Sequence, residues 1–162
     1  MSTAFQLESC QNLQASFFRA EREGARIYGA RWNSPGVPAV YLATSQSLAL
    51  LEVLVHVGDV DEFLHIEFVC VTVNVPDQII RLESPWWSSS SRSTWASKPL
   101  TETRLVGDAW LNQYSNLVLA VPSVIVPDEN NLLLHPSLAE SRTVALEKVS
   151  AFSLDPRLLR RL

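Results

Sequence analysis

Three polar side chains of this sequence, Arg31, Tyr41 and Glu52, follow one another at intervals of about ten residues. An arginine can fork onto phosphate oxygens, and a tyrosine offers a flat ring with a polar tip. A carboxylate can stabilise positive charge that develops during a reaction, or it can hold a sugar hydroxyl. Together the three residue types fit a phosphorylated, aromatic, sugar-bearing ligand, although each one alone also fits an ordinary surface or core position.

Glu52 belongs to a nearly continuous apolar stretch, residues 45–57. Thr44 or Ser45 can cap the start of a helix there, and Gly58 can end it. The pattern predicts a helix that is buried on most of its circumference. Because an unpaired buried carboxylate is costly, Glu52 requires a hydrogen-bonding partner or a solvated cleft.

Only one stripe of this helix is polar, and it carries Ser45, Glu52 and His56 at offsets of seven and four residues. His56 could therefore assist Glu52 in a site. It could equally do no more than satisfy hydrogen bonds of the helix.

Runs of Val, Ile, Leu and Phe predict strands at residues 17–20, 37–42, 63–75 and 143–152. A further apolar run, residues 116–126, is interrupted at Pro122, which cannot donate to a sheet ladder. Ser123 is thereby placed on irregular backbone beside the sheet, where functional groups are often presented. Several strands with one clear helix, and no regular alternation of the two, predict an α+β fold with a largely antiparallel sheet.

The composition limits the class of protein. The length of 162 residues fits one domain, residues 1–162, and a chain with 47% hydrophobic and 19% charged residues is typical of globular proteins. The net charge of -4 argues against nucleic acid as the principal ligand. Cys10 and Cys70 have no CxxC motif or His-rich surroundings, which indicates free thiols and no metal site. Neither a signal peptide nor a membrane span is recognisable, so a soluble, cytoplasmic protein is expected.

Six short stretches around these residues follow one another in a fixed order. They are Gly29-Ala30-Arg31-Trp32-Asn33-Ser34-Pro35-Gly36, Val40-Tyr41-Leu42-Ala43, Leu48-Ala49-Leu50-Leu51-Glu52-Val53-Leu54-Val55-His56, Gly107-Asp108-Ala109-Trp110-Leu111, Val121-Pro122-Ser123-Val124-Ile125-Val126-Pro127 and Asn131-Leu132-Leu133-Leu134. As an ordered set they resemble the RES domain, a family named for its Arg, Glu and Ser. The resemblance covers nearly the whole chain.

The resemblance implies a fold like the catalytic core of ADP-ribosyltransferase toxins, with small, mostly antiparallel β-sheets and packed helices around an NAD cleft. It also implies the toxin of a bacterial toxin–antitoxin pair, an enzyme that degrades NAD+ in its host cell. An antitoxin of the Xre helix-turn-helix type would block the cleft. NAD+ is then the substrate, with no further cofactor, no metal and no membrane partner, and nucleic acid is met only through the antitoxin.

By position, Arg31, Tyr41, Glu52 and Ser123 match the functional residues of the family, and Arg19 matches another arginine of its pocket. Glu52 would stabilise an oxocarbenium-like ribose as nicotinamide departs. Arg31 and Arg19 would grip the pyrophosphate. Tyr41 would stack on nicotinamide or form a wall of the pocket. Ser123 would hydrogen-bond the carboxamide, the ribose or Glu52.

Two positions depart from the family pattern. His135-Pro136 stands where the family often has Asn-Pro with a histidine shortly after. Ala30 stands where the second of two glycines usually precedes the arginine. Neither departure touches the four principal positions.

The sequence leaves the acceptor of the ADP-ribose open. Water or phosphate would give NAD+ hydrolysis or phosphorolysis, whereas a protein side chain would give an ADP-ribosyltransferase. A third possibility is a non-catalytic module that binds and titrates a helix-turn-helix regulator.

Overall fold

A computed structural model describes residues 2–9, 24–56, 66–75, 77, 79–81, 99–113, 116–126, 128–141, 144–153 and 155–159. Within these ranges the chain forms one sheet with helices packed against it. The predicted strand at residues 17–20 lies outside the described residues, as do residues 63–65 of another predicted strand and the predicted helix end at Gly58.

In the described residues the sheet contains seven strands, which are β1 (Ser2–Ser9), β2 (Val40–Ala43), β3 (Phe68–Val75), β4 (Ile79–Arg81), β5 (Val118–Pro122), β6 (Asn130–Leu134) and β7 (Ala145–Phe152). Their order across the sheet is β4-β5-β6-β2-β1-β3-β7. The β4–β5 pair is parallel, and the other neighbouring strands run antiparallel. This confirms the predicted α+β class with a mostly antiparallel sheet.

The sheet is nearly divided in its middle. β1 pairs with β3 along eight residues, whereas β1 meets β2 through the single pair Phe5↔Ala43. An antiparallel register continued beyond that pair would set Gln6 opposite Leu42, but no such pairing forms. The strands therefore fork here, between a half made of β4, β5, β6 and β2 and a half made of β1, β3 and β7.

The described residues include the helices α1 (Gln46–Leu54), α2 (Leu100–Leu111) and α3 (Pro136–Ser141). Residues 24–28 are also α-helical, and a 3-10 helix covers Pro156–Leu159. α1 begins as predicted, because the hydroxyl of Ser45 accepts a hydrogen bond from the amide of Leu48 at 3.1 Å. Its last helical residue is Leu54, so the helix ends before the predicted Gly58.

Both long helices cover the same face of the sheet. α2 packs Trp110 and Leu111 onto inward residues of β5 and β6, such as Leu119 and Leu133. α1 packs across the fork through a cluster of Ala43, Leu48, Ala49 and Cys70, with Phe5 against it. Successive side chains of a strand point to opposite faces of the sheet. The residues that point to the face without these helices form a separate core, which includes Val40, Val71 and Leu134. Helix α2 thus covers the half of the sheet that contains β5 and β6, and α1 covers the fork itself.

The prediction that α1 is buried on most of its circumference was wrong. Leu48 and Ala49 are its buried residues, whereas Leu51 and the following Val55 are exposed. The reason is that α1 lies over the fork and contacts the sheet along one side only. The predicted strand break was right, because β5 ends at Pro122 and Ser123 follows on irregular backbone.

Candidate active site

Two cavities lie beside the fork, on the face of the sheet that carries α1 and α2. Their volumes are about 260 Å³ and 360 Å³, and they share four lining residues, Arg31, Glu52, His56 and Asn131. They are therefore two parts of one cleft. The inner part (260 Å³) continues between β1, β2 and α1, and the outer part (360 Å³) continues along Val55 and the segment after β5. Each part is near the lower end of the size of small-molecule sites, about 300–1,000 Å³.

Arg31 is carried by a tight loop, residues 29–37, which we call the Arg31 loop. Gly29 and Gly36 adopt positive φ angles of 66° and 97°, which a side chain would strain. Asn33 is completely buried at the centre of the loop. Its Nδ2 donates to the carbonyls of Ala25 and Val37, each at 2.8 Å. The loop is therefore held from within by one asparagine.

Helix α2 holds the same loop from outside. Thr103 donates its hydroxyl hydrogen to the carbonyl of Arg31 at 2.5 Å, and the Nε of Arg104 donates to the carbonyl of Ala30 at 2.8 Å. Asp108 accepts a hydrogen bond from the amide of Ser34 at 2.9 Å. These α2 residues recur at helical spacing, so one face of α2 fixes the backbone on both sides of Arg31.

Gly107 lies on that face of α2, where the helix touches the Arg31 loop. A Cβ atom at this position would lie 2.7 Å from the carbonyl carbon of Trp32 and closer still to its oxygen. Only a residue without a side chain allows this approach. The sequence stretch around Gly107 therefore serves to dock a helix against the Arg31 loop.

The guanidinium of Arg31 is not fully used by the protein. Its Nη1 is buried, and it has no hydrogen-bond partner among the residues that the structure describes. A buried donor without an acceptor is costly, and it is usually explained by a missing ligand or water. Since Arg31 lines both parts of the cleft, this nitrogen is available to an anionic or oxygen-rich ligand.

Glu52 reaches the cleft from α1, and two side chains from the half of the sheet that contains β5 and β6 bind it. Ser123 donates its hydroxyl hydrogen to Glu52 Oε1 at 3.2 Å, and Asn131 donates from Nδ2 to the same oxygen at 2.5 Å. These two hydrogen bonds fix the orientation of the carboxylate. The partner that the sequence pattern required for Glu52 is therefore present.

The hydroxyl of Ser123 is fully engaged. Besides donating to Glu52, its oxygen accepts hydrogen bonds from the amides of Ile125 and Val126, both at 3.1 Å. A serine hydroxyl has one hydrogen and two lone pairs, so these three bonds use its whole capacity. Of the three partners that we considered for Ser123, the structure shows Glu52.

Tyr41 forms part of the wall of the inner cavity. Its hydroxyl donates to Oδ1 of Asn33 at 2.8 Å and accepts from the amide of Trp32 at 3.1 Å. Burial raises the pKa of Tyr41 above its ordinary value, so the phenol stays protonated. The hydroxyl of Tyr41 therefore supports the Arg31 loop, while the residue also forms part of the cavity wall.

His56 is exposed at the end of α1 and lines both parts of the cleft. Its Nδ1 lies 2.8 Å from the carbonyl oxygen of Glu52. His135, in contrast, is buried away from both parts. Its Nε2 lies 2.7 Å from the carbonyl oxygen of Leu111, and its ring meets Trp110 edge-on, so it ties the end of α2 to the start of α3.

The structure thus brings together Arg31, Tyr41, Glu52 and Ser123. The first three line the cleft, and Ser123 binds Glu52. Arg19 lies outside the described residues. Asn131 belongs to one of the six sequence stretches, but the sequence predicts no function for it. Its only sequence signal is an amide side chain at the start of a run of leucines.

Comparison with known proteins identifies the family. The model of the RES domain matches residues 4–155. This chain belongs to the RES-domain family. The three residues that the sequence resemblance matches to the family name lie together here, because Arg31 and Glu52 line one cleft and Ser123 binds Glu52.

Curated relatives of this RES domain carry toxin names. It is 41% identical to "Toxin Res" of Photorhabdus laumondii over 85% of this chain and 86% of that protein. It is 42% identical to "Toxin Res" of Yersinia enterocolitica, over 83% of this chain and 87% of that protein. A relative from Sphingobium sp. at 34% identity, over 85% of each chain, is named "Prs ADP-ribosylating toxin".

A solved structure shares the fold. The crystal structure of the Mycobacterium tuberculosis MbcT–MbcA toxin–antitoxin complex contains a chain that matches 98% of this RES domain and 86% of its own length. The TM-score is 0.69 at 21% sequence identity, so the similarity establishes the fold.

The described part of the chain lacks two features. It contains no helix long and apolar enough to cross a membrane. Nor does it contain a group of three or more His, Cys, Asp or Glu side chains that could hold a metal ion.

Proposed function

We propose that this RES domain is the toxin of a bacterial toxin–antitoxin pair, and that it cleaves the bond between nicotinamide and ribose in NAD+. One observation carries the proposal. The carboxylate of Glu52 and the guanidinium of Arg31 line the same two-part cleft, although one is on α1 and the other on a loop fixed by α2. The toxin names of the relatives from Photorhabdus and Yersinia support the biological role.

The chemistry asked of Glu52 is electrostatic. Nicotinamide leaves NAD+ as a neutral base, and positive charge then develops on the ribose, as in glycoside hydrolysis. A carboxylate that is already held in place by Ser123 and Asn131 gains interaction energy as that charge develops. Oε2 of Glu52, to which neither of these residues donates, is the oxygen that we assign to the ribose.

Arg31 is proposed to bind the pyrophosphate of NAD+. Its unpartnered Nη1 supplies a charged donor, and Thr103, Arg104 and Asp108 hold its loop at a fixed position. Arg31 would hold the dinucleotide so that the scissile bond faces Glu52, and this orientation would raise the rate of cleavage. The two parts of the cleft meet at Arg31 and Glu52, which suits a ligand with two lobes joined by a charged linker.

We propose that an antitoxin protein neutralises the enzyme by covering this cleft. The fold neighbour was solved as a toxin–antitoxin complex, and the resemblance of the sequence favours an Xre-type partner in the cytoplasm. Val55, which lines the outer cavity, is 57% exposed in the isolated chain. An apolar side chain at the mouth of a cleft is a suitable anchor for such a partner.

Transfer of ADP-ribose to a protein is the second candidate function. The relative from Sphingobium is named as an ADP-ribosylating toxin, and this favours transfer over cleavage alone. Both reactions begin with the same departure of nicotinamide, so Glu52 and Arg31 would have the same roles.

Product analysis separates these functions. The purified protein is incubated with NAD+ labelled in the adenylate, with and without phosphate and with a cell lysate, and the products are resolved by chromatography. We expect free ADP-ribose or its phosphate together with nicotinamide. Label that stays on protein while NAD+ persists would instead establish transfer. Intact NAD+ with no labelled protein would refute both proposals.

A further inference from the structure

The acceptor of the ADP-ribose must lose a proton when it is water, and few groups at the cleft can take one. Arg31 is permanently protonated. The hydroxyl of Tyr41 is engaged with Asn33 and Trp32. Glu52 already accepts two hydrogen bonds and is assigned to the developing charge. Among the side chains that line both parts of the cleft, His56 is the remaining base.

The orientation of the His56 ring is set by the main chain. The carbonyl oxygen of Glu52 can only accept, so Nδ1, at 2.8 Å from it, carries the hydrogen. In a neutral imidazole the other nitrogen, Nε2, then has the free lone pair. A general base of this kind needs a third group that fixes its tautomer, and here the backbone of the catalytic glutamate supplies it.

We propose that His56 is the general base of the hydrolytic reaction, an inference that rests on the proposed cleavage of NAD+. As the bond from C1 of the ribose to nicotinamide breaks, its electron pair leaves with nicotinamide. A water oxygen forms the new bond to C1, and one water proton passes to Nε2 of His56. The products are nicotinamide, ADP-ribose and one proton, and the proton leaves the imidazolium for solvent.

Two structural features fit this role. His56 follows Glu52 by four residues, just beyond the end of α1, and both side chains line both parts of the cleft. His56 is also exposed, which gives the captured proton a route to bulk water. A base buried like His135 would lack that route.

The test compares acceptors that need a base with acceptors that do not. Water must lose a proton to become a stable product, whereas azide is already an anion. The variant His56→Asn keeps an N–H near the position of Nδ1, and so it can keep the bond to the Glu52 carbonyl, but it has no basic nitrogen. In a fixed concentration of azide, the ratio of azide adduct to ADP-ribose measures the partition between the two acceptors.

We expect the His56→Asn protein to raise the ratio of azide adduct to ADP-ribose about a hundredfold, the lower end of the range for general base catalysis. Formation of the azide adduct itself should stay within a few-fold of the wild-type rate, which also shows that the variant folds and binds NAD+. Gln46→Asn, on the exposed start of α1, is the control and should leave the ratio unchanged.

Two outcomes would overturn the assignment. If azide adduct and ADP-ribose fall by the same factor in His56→Asn, the residue has a structural role. If neither changes, it has no role in the reaction. Both results leave the cleavage of NAD+ intact, whereas failure of the wild-type protein to release nicotinamide would refute the proposed function itself.

Discussion

The contact between Gly107 and the Arg31 loop predicts the effect of adding one methyl group. In Gly107→Ala, the new Cβ would lie 2.7 Å from the carbonyl carbon of Trp32, where ordinary contact begins at 3.4 Å. Helix α2 and the loop must therefore separate by at least 0.7 Å to relieve the contact with this carbon, and by more to relieve the contact with the closer carbonyl oxygen. The carbonyl belongs to backbone, so it cannot rotate away as a flexible side chain would.

The free energy follows from two opposing effects. Alanine is better than glycine in a helix by about 0.5–1 kcal/mol. Overpacking at a rigid contact costs about 1–3 kcal/mol, and here the added atom meets backbone. A separation of 0.7 Å would also stretch the Arg104 to Ala30 bond from 2.8 Å to about 3.5 Å, the limit of a hydrogen bond. We expect a net loss of about 1–2 kcal/mol in the free energy of unfolding.

The effect on activity should exceed the effect on stability. A displacement of about 1 Å at a group that positions the substrate can lower the rate about 10²-fold. The assays are urea unfolding and nicotinamide release. Gly24→Ala is the matched control, because Gly24 is exposed and helical, and a Cβ there meets no atom within 4 Å. Wild-type stability and activity in Gly107→Ala would refute the claim that α2 positions Arg31.

Three further predictions concern hydroxyl groups. Ser123→Ala removes a donor to Glu52 and leaves two backbone amides without their acceptor. The free energy of unfolding, measured in urea, should therefore fall by about 1–3 kcal/mol, and nicotinamide release should become slower. A variant as stable and as active as wild type would contradict this. The raised pKa of Tyr41 means that the folded protein keeps a proton that the unfolded chain loses above pH 10.0, so wild-type stability should fall as the pH rises above that value. The stability of Tyr41→Phe should not fall for this reason, so the difference in free energy of unfolding between wild type and variant should shrink above pH 10.0. A difference that stays constant above pH 10.0 would contradict the prediction. Ser45→Ala removes the cap of α1 and should cost about 1 kcal/mol, measured by thermal unfolding, whereas the exposed Ser47→Ala should cost little; equal effects would contradict the cap.

Local patterns were sufficient for part of the fold. The hydroxyl of Ser45 before an apolar run marked the start of α1, and Pro122 marked the end of β5, because each acts on its own backbone. The strand β1 was not predicted, since six of its eight residues are polar or small. Helix α2 was also not predicted. A glycine inside a helix is unfavourable, and Gly107 is explained only by its close contact with the backbone of Trp32.

The candidate site was predictable in its charged members and not in their support. Arg31 and Glu52 stood out because a charge in apolar surroundings needs a reason. Asn131 did not, since an amide at the start of a strand is common. Its role depends on α1 and β6 being brought together across 79 residues of sequence, which no local pattern contains. The same holds for Thr103, whose hydroxyl meets the Arg31 carbonyl 72 residues away.

The central claim is that Glu52 and Arg31 act on one NAD+ molecule in one cleft. The most direct measurement is nicotinamide release from NAD+ by wild type and by Glu52→Gln, which keeps the size of the side chain and removes its charge. We predict a fall of about 10²- to 10³-fold, with an unchanged unfolding midpoint and with full activity in the control Glu67→Gln, at an exposed position before β3. A well-folded Glu52→Gln protein that releases nicotinamide at the wild-type rate would contradict the account.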